Sequence, residues 1–181
     1  VFIEHRWLHN TFGKVGTGHQ LTPLGKARVS NTGTDITIVA YSLMVPHALR
    51  CANILSNYGI SVEVIDLRSL RPIDEETILS SVSKTGRVLA LDLGWQRCGV
   101  ASEVISIVST KIFEKLKSAP LRYSLKDTPI PSTRALANLV YPNMSMIISL
   151  CQQSLGIEFA VDKKLIAKNL DVPDASFLGP F

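Results

Sequence analysis

The chain has 181 residues, of which 46% are hydrophobic and 19% charged, and carries a formal net charge of +4. That length suffices for one substantial core, since a domain of about 150 residues buries roughly 68–70% of its unfolded surface. The 19 basic residues form no run dense enough to track a phosphate backbone, and no apolar stretch reads as a membrane span or a signal peptide.

The chain starts with Val1 and passes at once into strand-like Phe2-Ile3, which reads as a cut from something longer. Val1 to Asn10 begins with a short strand and becomes a mixed aromatic segment holding Glu4, His5, Arg6 and His9. Two histidines four apart need a third ligand before they indicate a metal, so they read as loop or interface groups or as part of a site completed elsewhere. Thr11 to Gly25 contains Gly13, Gly16 and Gly18 but not the Gly-Lys-Ser/Thr ending of a phosphate cradle, and reads as a linker. Leu24 to Val29 is expected to form a short pairing strand before a turn at Asn31-Thr32-Gly33.

Ile36 to Tyr41 is an almost continuous apolar run, as expected of a strand covered on both faces. From Val45 to Tyr58 the period changes. Val45, Leu49, Ala52 and Leu55 share a stripe widened by Ala48, Cys51 and Ile54, with Pro46 tolerated in the first turn and Gly59 able to end the helix. Val62, Val64 and Ile65 read as a second strand, so the unit is β-α-β with a right-handed crossover. Leu67 to Pro72 is polar enough to leave the core and holds Arg68 and Arg71, which can pair with neighbouring chains or acids; Pro72 can introduce a helix. Asp74 is the candidate N-cap of a helix over Glu75 to Val82, ended by Lys84-Thr85-Gly86.

Arg87 to Leu93 is another buried-looking strand, with Asp92 near its end. Gly94 and Gly99 bracket Trp95, Gln96, Arg97 and Cys98, and Val100 to Leu116 is helical in period. A loop after a parallel strand and before a helix is the usual functional edge of an α/β domain. Two readings stay open there: Arg97 and the helix amides receive an anion, or Trp95 packs against a subunit and Arg97 meets a carboxylate. Glu103 is explained by the helix dipole. Leu121 to Leu125 reads as a further strand, Pro129 and Pro131 as a rigid loop, Thr133 to Val140 as a short helix, and Met144 to Leu155 as a helix capped by Asn143 and ended by Gly156. Cys51, Cys98 and Cys151 are an odd, widely spaced set without a CxxC pair, which suggests a reducing compartment. Cys51 and Cys151 lie on apolar helical patterns and read as buried thiols, whereas Cys98 beside Arg97 is in a setting that can lower a thiol pKa.

These segments together resemble the beta subunit of the thiamine-diphosphate-dependent E1 component of 2-oxo-acid dehydrogenase complexes, in its C-terminal transketolase-like domain. The matching stretches are FIEHRWLHN (Phe2–Asn10), PLGKARV (Pro23–Val29), GTDITIVAYSLMVPHAL (Gly33–Leu49), GISVEVIDLRSLRPIDEETI (Gly59–Ile78), KTGRVLALDLGWQRCGVASEV (Lys84–Val104) and PIPSTRALANLVYP (Pro129–Pro142), and VPDASFLGPF resembles an extended tail of the group. The resemblance implies a three-layer α/β/α domain with a mostly parallel sheet. It divides the chain into the end of a pyrimidine-binding domain (1–10), a linker (11–32), the transketolase C-terminal-like domain (33–156) and an extended tail (157–181).

For the complete enzyme it implies oxidative decarboxylation of a 2-oxo acid and acyl transfer to a lipoyl-bearing E2 component, with thiamine diphosphate and magnesium as cofactors. The activating acid and the diphosphate–magnesium motif are expected outside this sequence, so the chain alone is expected to bind neither cofactor. His5, Arg6 and His9 are the residues expected to face the cofactor region or the lipoyl path. Arg68, Arg71, Trp95 and Arg97 are the interface or anion candidates. The implied partners are a second beta subunit in a two-fold dimer, the alpha subunit and E2. The implied compartment is the cytoplasm, or the mitochondrial matrix. A two-carbon-transferring transketolase-like enzyme and a stand-alone α/β interaction or anion-binding module are the alternatives.

Overall fold

Short apolar strands alternating with amphipathic helices leave one economical arrangement, a sheet covered on both faces. The computed structural model, which describes residues 1–9, 12–14, 16–18, 21–137, 139–162 and 166, has it. The described elements are β1 (Arg28–Asn31), β2 (Ile36–Ala40), α1 (Met44–Ser56), β3 (Val62–Asp66), α2 (Glu75–Thr85), β4 (Val88–Trp95), α3 (Val100–Lys111), β5 (Leu121–Leu125), α4 (Arg134–Ala137) and α5 (Met144–Leu155), with 3-10 turns at Arg6–Leu8 and Phe113–Lys115. The five strands lie in the order β1-β3-β2-β4-β5. β2 to β5 are mutually parallel, and β1 closes one edge antiparallel to β3.

Side-chain alternation sorts the strands between two cores. Ile36, Ile38 and Ala40 of β2, with Val62 and Val64 of β3, pack against α1 and α5. Val39, Ile65, Val88 and Ala90 point the other way, to Ile78 and Val82 of α2 and to Ala101, Val104 and Val108 of α3. Each fully buried Ile, Leu or Val stabilises by about 1.5–3 kcal/mol, so the paired cores account for the three layers. Cys51 and Cys151 are both fully buried where α1 meets α5. A hydrogen bond with Cys51 and burial push the Cys151 thiol well above its ordinary pKa, as expected of an inert packing thiol.

The α2 face also carries a polar seam. The Thr37 hydroxyl bonds both Ser81 Oγ and Thr85 Oγ1 at 2.8 Å. Glu63, 2% exposed in the middle of β3, accepts from Ser81 Oγ, from Lys84 Nζ and from the Gly33 amide at 3.2 Å. Gly33 is required by space: a Cβ there would lie 2.2 Å from the Val62 carbonyl carbon and 2.3 Å from the Glu63 nitrogen.

Several boundaries differ from the sequence expectation. Val1 to Ile3 forms no strand; these residues stand exposed with no paired neighbour among the described residues. The pairing strand expected at Leu24 to Val29 begins instead at Arg28, because Gly25 turns at φ 73° and the Ala27 amide is taken by Asp74 Oδ2 at 2.9 Å. Leu67 does not leave the core: it is buried, and its amide continues the ladder to the Ala40 carbonyl at 2.9 Å. α2 starts at Glu75 after the Asp74 cap, as expected, and runs on to Thr85 beyond the expected Val82. The helix expected to reach Leu116 breaks at Ile112, whose φ of −141° leads into the 3-10 turn. Asp74 and Asn143 cap α2 and α5 through their side chains, and Gly86 and Gly156 end them in the left-handed region. Of the tail, residues 157–162 and 166 are described; Phe159 stacks on Tyr58 at 4.5 Å, and VPDASFLGPF lies outside the described residues.

Candidate functional site

Because β2, β3 and β4 are parallel, their C-terminal ends open on one edge of the sheet. The chain leaves β2 toward β3 on one side and returns to β4 on the other, so the topological switch point lies between β2 and β4. Among the described residues three non-glycine residues have positive φ, and each sits in a loop after one of these strands: Ser42 (52°) after β2, Arg68 (55°) after β3 and Cys98 (55°) after β4. Such conformations cost of order 1–3 kcal/mol and collect where surrounding contacts impose a shape.

At the switch point the two strands are joined by a buried acid. Asp92 is 0% exposed. Its Oδ1 accepts from the Tyr41 hydroxyl at 2.5 Å and from the Gly94 amide at 2.6 Å, and its Oδ2 accepts from the Ala101 amide at 3.2 Å. Burial, the hydrogen bond to Asp92 and that carboxylate's charge together push the Tyr41 hydroxyl far above its ordinary pKa. Ala101 lies in the first turn of α3, so the carboxylate occupies a helix N-terminal position that an external anion would otherwise take. Gly99 makes room for it: a Cβ there would lie 2.7 Å from Asp92 Oδ2 and 2.5 Å from the Trp95 carbonyl.

The sequence-expected residues form the rim of this edge. Trp95 ends β4 and is 47% exposed. The Arg97 side chain is 85% exposed and its Nε meets Asp127 Oδ2 at 3.0 Å, so a carboxylate of the same chain already faces it. Arg68 Nη2 donates to Thr22 Oγ1 at 2.8 Å, and Arg71 is exposed with no ion pair among the described residues. Cys98 is exposed two residues ahead of α3.

The N-terminal candidates follow a different logic. His5 caps the Arg6–Leu8 turn, its Nδ1 accepting from the Trp7 amide at 3.3 Å, while His9 Nε2 meets Glu4 at 3.1 Å. Burial lowers the His5 pKa. His5 in turn acts on His47 of α1, whose pKa is lowered to about 4 by burial, by Arg50 and by His5. His47 Nδ1 is buried without a hydrogen-bond partner. Among the described residues no group of three or more His, Cys, Asp or Glu side chains is placed to hold a metal ion.

Sequence reasoning placed Asp92 near the end of its strand without giving it a role, and did not single out Tyr41, His47 or Arg50. One signal was there for Asp92: it is the lone acid in the apolar stretch VLALDLGW.

A doubly wound α/β domain with a built-up C-terminal edge is the class this geometry defines. The chain belongs to the transketolase C-terminal domain family, whose model matches residues 25–147. It is homologous to E1 beta subunits. It is 34% identical over 155 residues to the acetoin:2,6-dichlorophenolindophenol oxidoreductase subunit beta of Cupriavidus necator, covering 86% of this chain and 46% of that one. It is 42% identical over 156 residues to the pyruvate dehydrogenase E1 component subunit beta of Leifsonia xyli, covering 86% and 46%. Among solved structures, a split-gene transketolase described as an inactive beta4 tetramer matches with a TM-score of 0.66 and 28% identity over 76% of this chain and 45% of that one. The chain thus spans less than half the length of these relatives.

Proposed function

We propose that this chain is the C-terminal part of the beta subunit of a thiamine-diphosphate-dependent 2-oxo-acid dehydrogenase, and that its own work is assembly rather than chemistry. The whole enzyme would decarboxylate a 2-oxo acid oxidatively and pass the acyl group to a lipoyl-bearing E2 component. Residues 33–156 would form the assembly domain, and the segment with His5, Arg6 and His9 would face the cofactor region. The cytoplasm or the mitochondrial matrix would house it; no described helix is long and apolar enough to cross a membrane.

The observation that carries the assembly role is Asp92. In a doubly wound domain the switch point is where a phosphate-bearing ligand usually sits, on a helix N-terminus. Here the acid fills that place, and a second negative group beside it would be repelled. Among the described residues no group of three or more His, Cys, Asp or Glu side chains is placed to hold magnesium. Strained loops and an exposed rim of Arg68, Arg71, Trp95 and Arg97 then serve better as a docking surface for a second beta subunit, the alpha subunit or E2. A specific interface of this kind buries about 1,200–2,000 Å².

Sedimentation equilibrium of the chain over a concentration series tests this, together with calorimetry against thiamine diphosphate and magnesium. A dimer without cofactor binding is expected; a strict monomer, or tight magnesium-dependent binding, would refute the assignment. A transketolase-like two-carbon transfer enzyme is the second reading, favoured by the similarity to the split-gene transketolase. Coexpression with an E1 alpha subunit separates the two, because stable alpha–beta association is expected only of the first.

A further inference from the structure

Ser124, near the end of β5, buries a hydroxyl. It is 6% exposed, and its Oγ meets no hydrogen-bond partner among the described residues. Buried polar atoms are bonded in the large majority of cases, to protein or to ordered water. Strand alternation shows which way this one points. Tyr123 packs on the core that Leu91 shares with α1 and α5, and its hydroxyl oxygen accepts from the Asn143 amide at 3.1 Å. Arg122 reaches the opposite face, where its Nη1 meets Ser102 Oγ of α3. Ser124 therefore faces α3, as Asp92 does through its bond to the Ala101 amide.

The pairing of β4 with β5 brings the two residues together. Ala90 pairs with Arg122 and Leu91 with Tyr123, but the next pair is Trp95 with Leu125. Asp92, Leu93 and Gly94 thus stand opposite Ser124 alone, a bulge that opens the ladder at this point. Neighbouring strands lie about 4.7–4.9 Å apart, so Asp92, the first residue of the bulge, and Ser124 are adjacent on one face. The carboxylate has capacity left there. It offers about four acceptor positions over its two oxygens. Oδ1 takes two donors, the Tyr41 hydroxyl and the Gly94 amide, whereas among the described residues Oδ2 takes the Ala101 amide alone.

We infer that Ser124 Oγ and Asp92 Oδ2 hold one internal water molecule between β4 and β5. The Ser124 hydroxyl donates to the water oxygen, and the water donates to Oδ2. The pair suits other small guests poorly. An anion is repelled by Asp92, and a divalent cation takes about six oxygens or more. A water needs only two to four polar partners. Held there, it completes the shell of Asp92 and fastens β5 to the edge that carries Trp95 and Arg97. The site rests on the fold alone, so it can fail while the enzyme assignment stands.

A crystal structure of the full 181-residue chain tests this directly. A solvent peak within about 2.5–3.0 Å of both Ser124 Oγ and Asp92 Oδ2 is expected, and its loss in Ser124→Val. No peak there, a Ser124 hydroxyl bonded straight to Asp92 or to a backbone carbonyl, or an ion ringed by oxygens would overturn the site. Hydrogen exchange gives a second readout that needs no crystal. Ser124→Ala should speed exchange of the Gly94 and Ala101 amides, which share Asp92 with the water, by about tenfold, the size of one hydrogen bond. Amides in the middle of α5 should change clearly less. Unchanged rates at Gly94 and Ala101, or an equal rise in α5, would also overturn it.

Discussion

Two lone acids are buried inside apolar strands of this domain, and their surroundings differ in one respect. Glu63 in β3 is 2% exposed and is met by a cation, Lys84, along with the Ser81 hydroxyl and the Gly33 amide. Asp92 in β4 is 0% exposed and, among the described residues, is met by dipoles: the Tyr41 hydroxyl and the amides of Gly94 and Ala101. The first arrangement ties a strand to the helix packed on it, and its charge reaches water through the half-exposed lysine. The second is sealed from bulk water and shapes the edge where the sheet's loops gather. A buried acid is therefore not one kind of object; the partner decides whether it fastens layers or forms an edge.

The largest expected effect comes from removing the sealed acid. Asp92→Ala leaves the Tyr41 hydroxyl and two amides without an acceptor, and each buried unsatisfied group costs about 1–3 kcal/mol. A total loss of about 3–5 kcal/mol is expected from urea unfolding midpoints. Asp92→Asn, which keeps an acceptor oxygen, should lose clearly less. If Asp92→Ala costs no more than a surface substitution, the sealed-acid description of this edge is wrong.

Glu63→Ala should come second, at about 2 kcal/mol, because the Lys84 side chain is 46% exposed and regains water when its partner is removed. A pH signature sharpens the contrast. Burial pushes the Glu63 carboxyl upward, yet the hydrogen bonds from Lys84, Ser81 and Gly33 and the Lys84 charge outweigh it and hold its pKa below the ordinary carboxylate value. A depressed folded-state pKa contributes stability that is present above the unfolded-state value and lost as pH falls through the folded one. Stability measured from neutral pH downward should therefore drop, and Glu63→Gln should flatten part of that drop. Asp74, lowered by the amides of Ala27 and Thr77 and by the Thr77 hydroxyl against its burial, supplies a further part. An unchanged acid slope in Glu63→Gln would remove Lys84 from the account.

The smallest effect belongs to the exposed rim. Arg97→Ala breaks the pair with Asp127, but an exposed ion pair contributes only about 0–1 kcal/mol. The unfolding midpoint of the isolated chain should barely move, whereas dimerisation, if Trp95 and Arg97 lie in the interface, should weaken in sedimentation equilibrium.

Much of this fold was legible in the residue order, and the reasons are local. β2 announces itself because Ile36 to Ala40 is apolar on both faces, and α1 because Val45, Ala48, Ala52 and Leu55 repeat at helical spacing. Asp74 and Asn143 stand where caps must stand. The misses are long-range. Leu67 seemed to belong to a polar loop, but the Ala40 carbonyl, distant in sequence, draws it into the sheet. Tyr41 and Asp92 are separated by two crossovers, and only the strand order β3-β2-β4 makes them neighbours.

Asp74 also has a mechanical consequence. One carboxylate holds the amide of Thr77 in the first turn of α2 and the amide of Ala27 at the approach to β1, a span of 47 residues closed by a single side chain. Gly25, two residues before Ala27, turns in the left-handed region. The approach to β1 is thus fastened at a fixed point, and load on it passes into the start of a helix instead of peeling the edge strand from its neighbour.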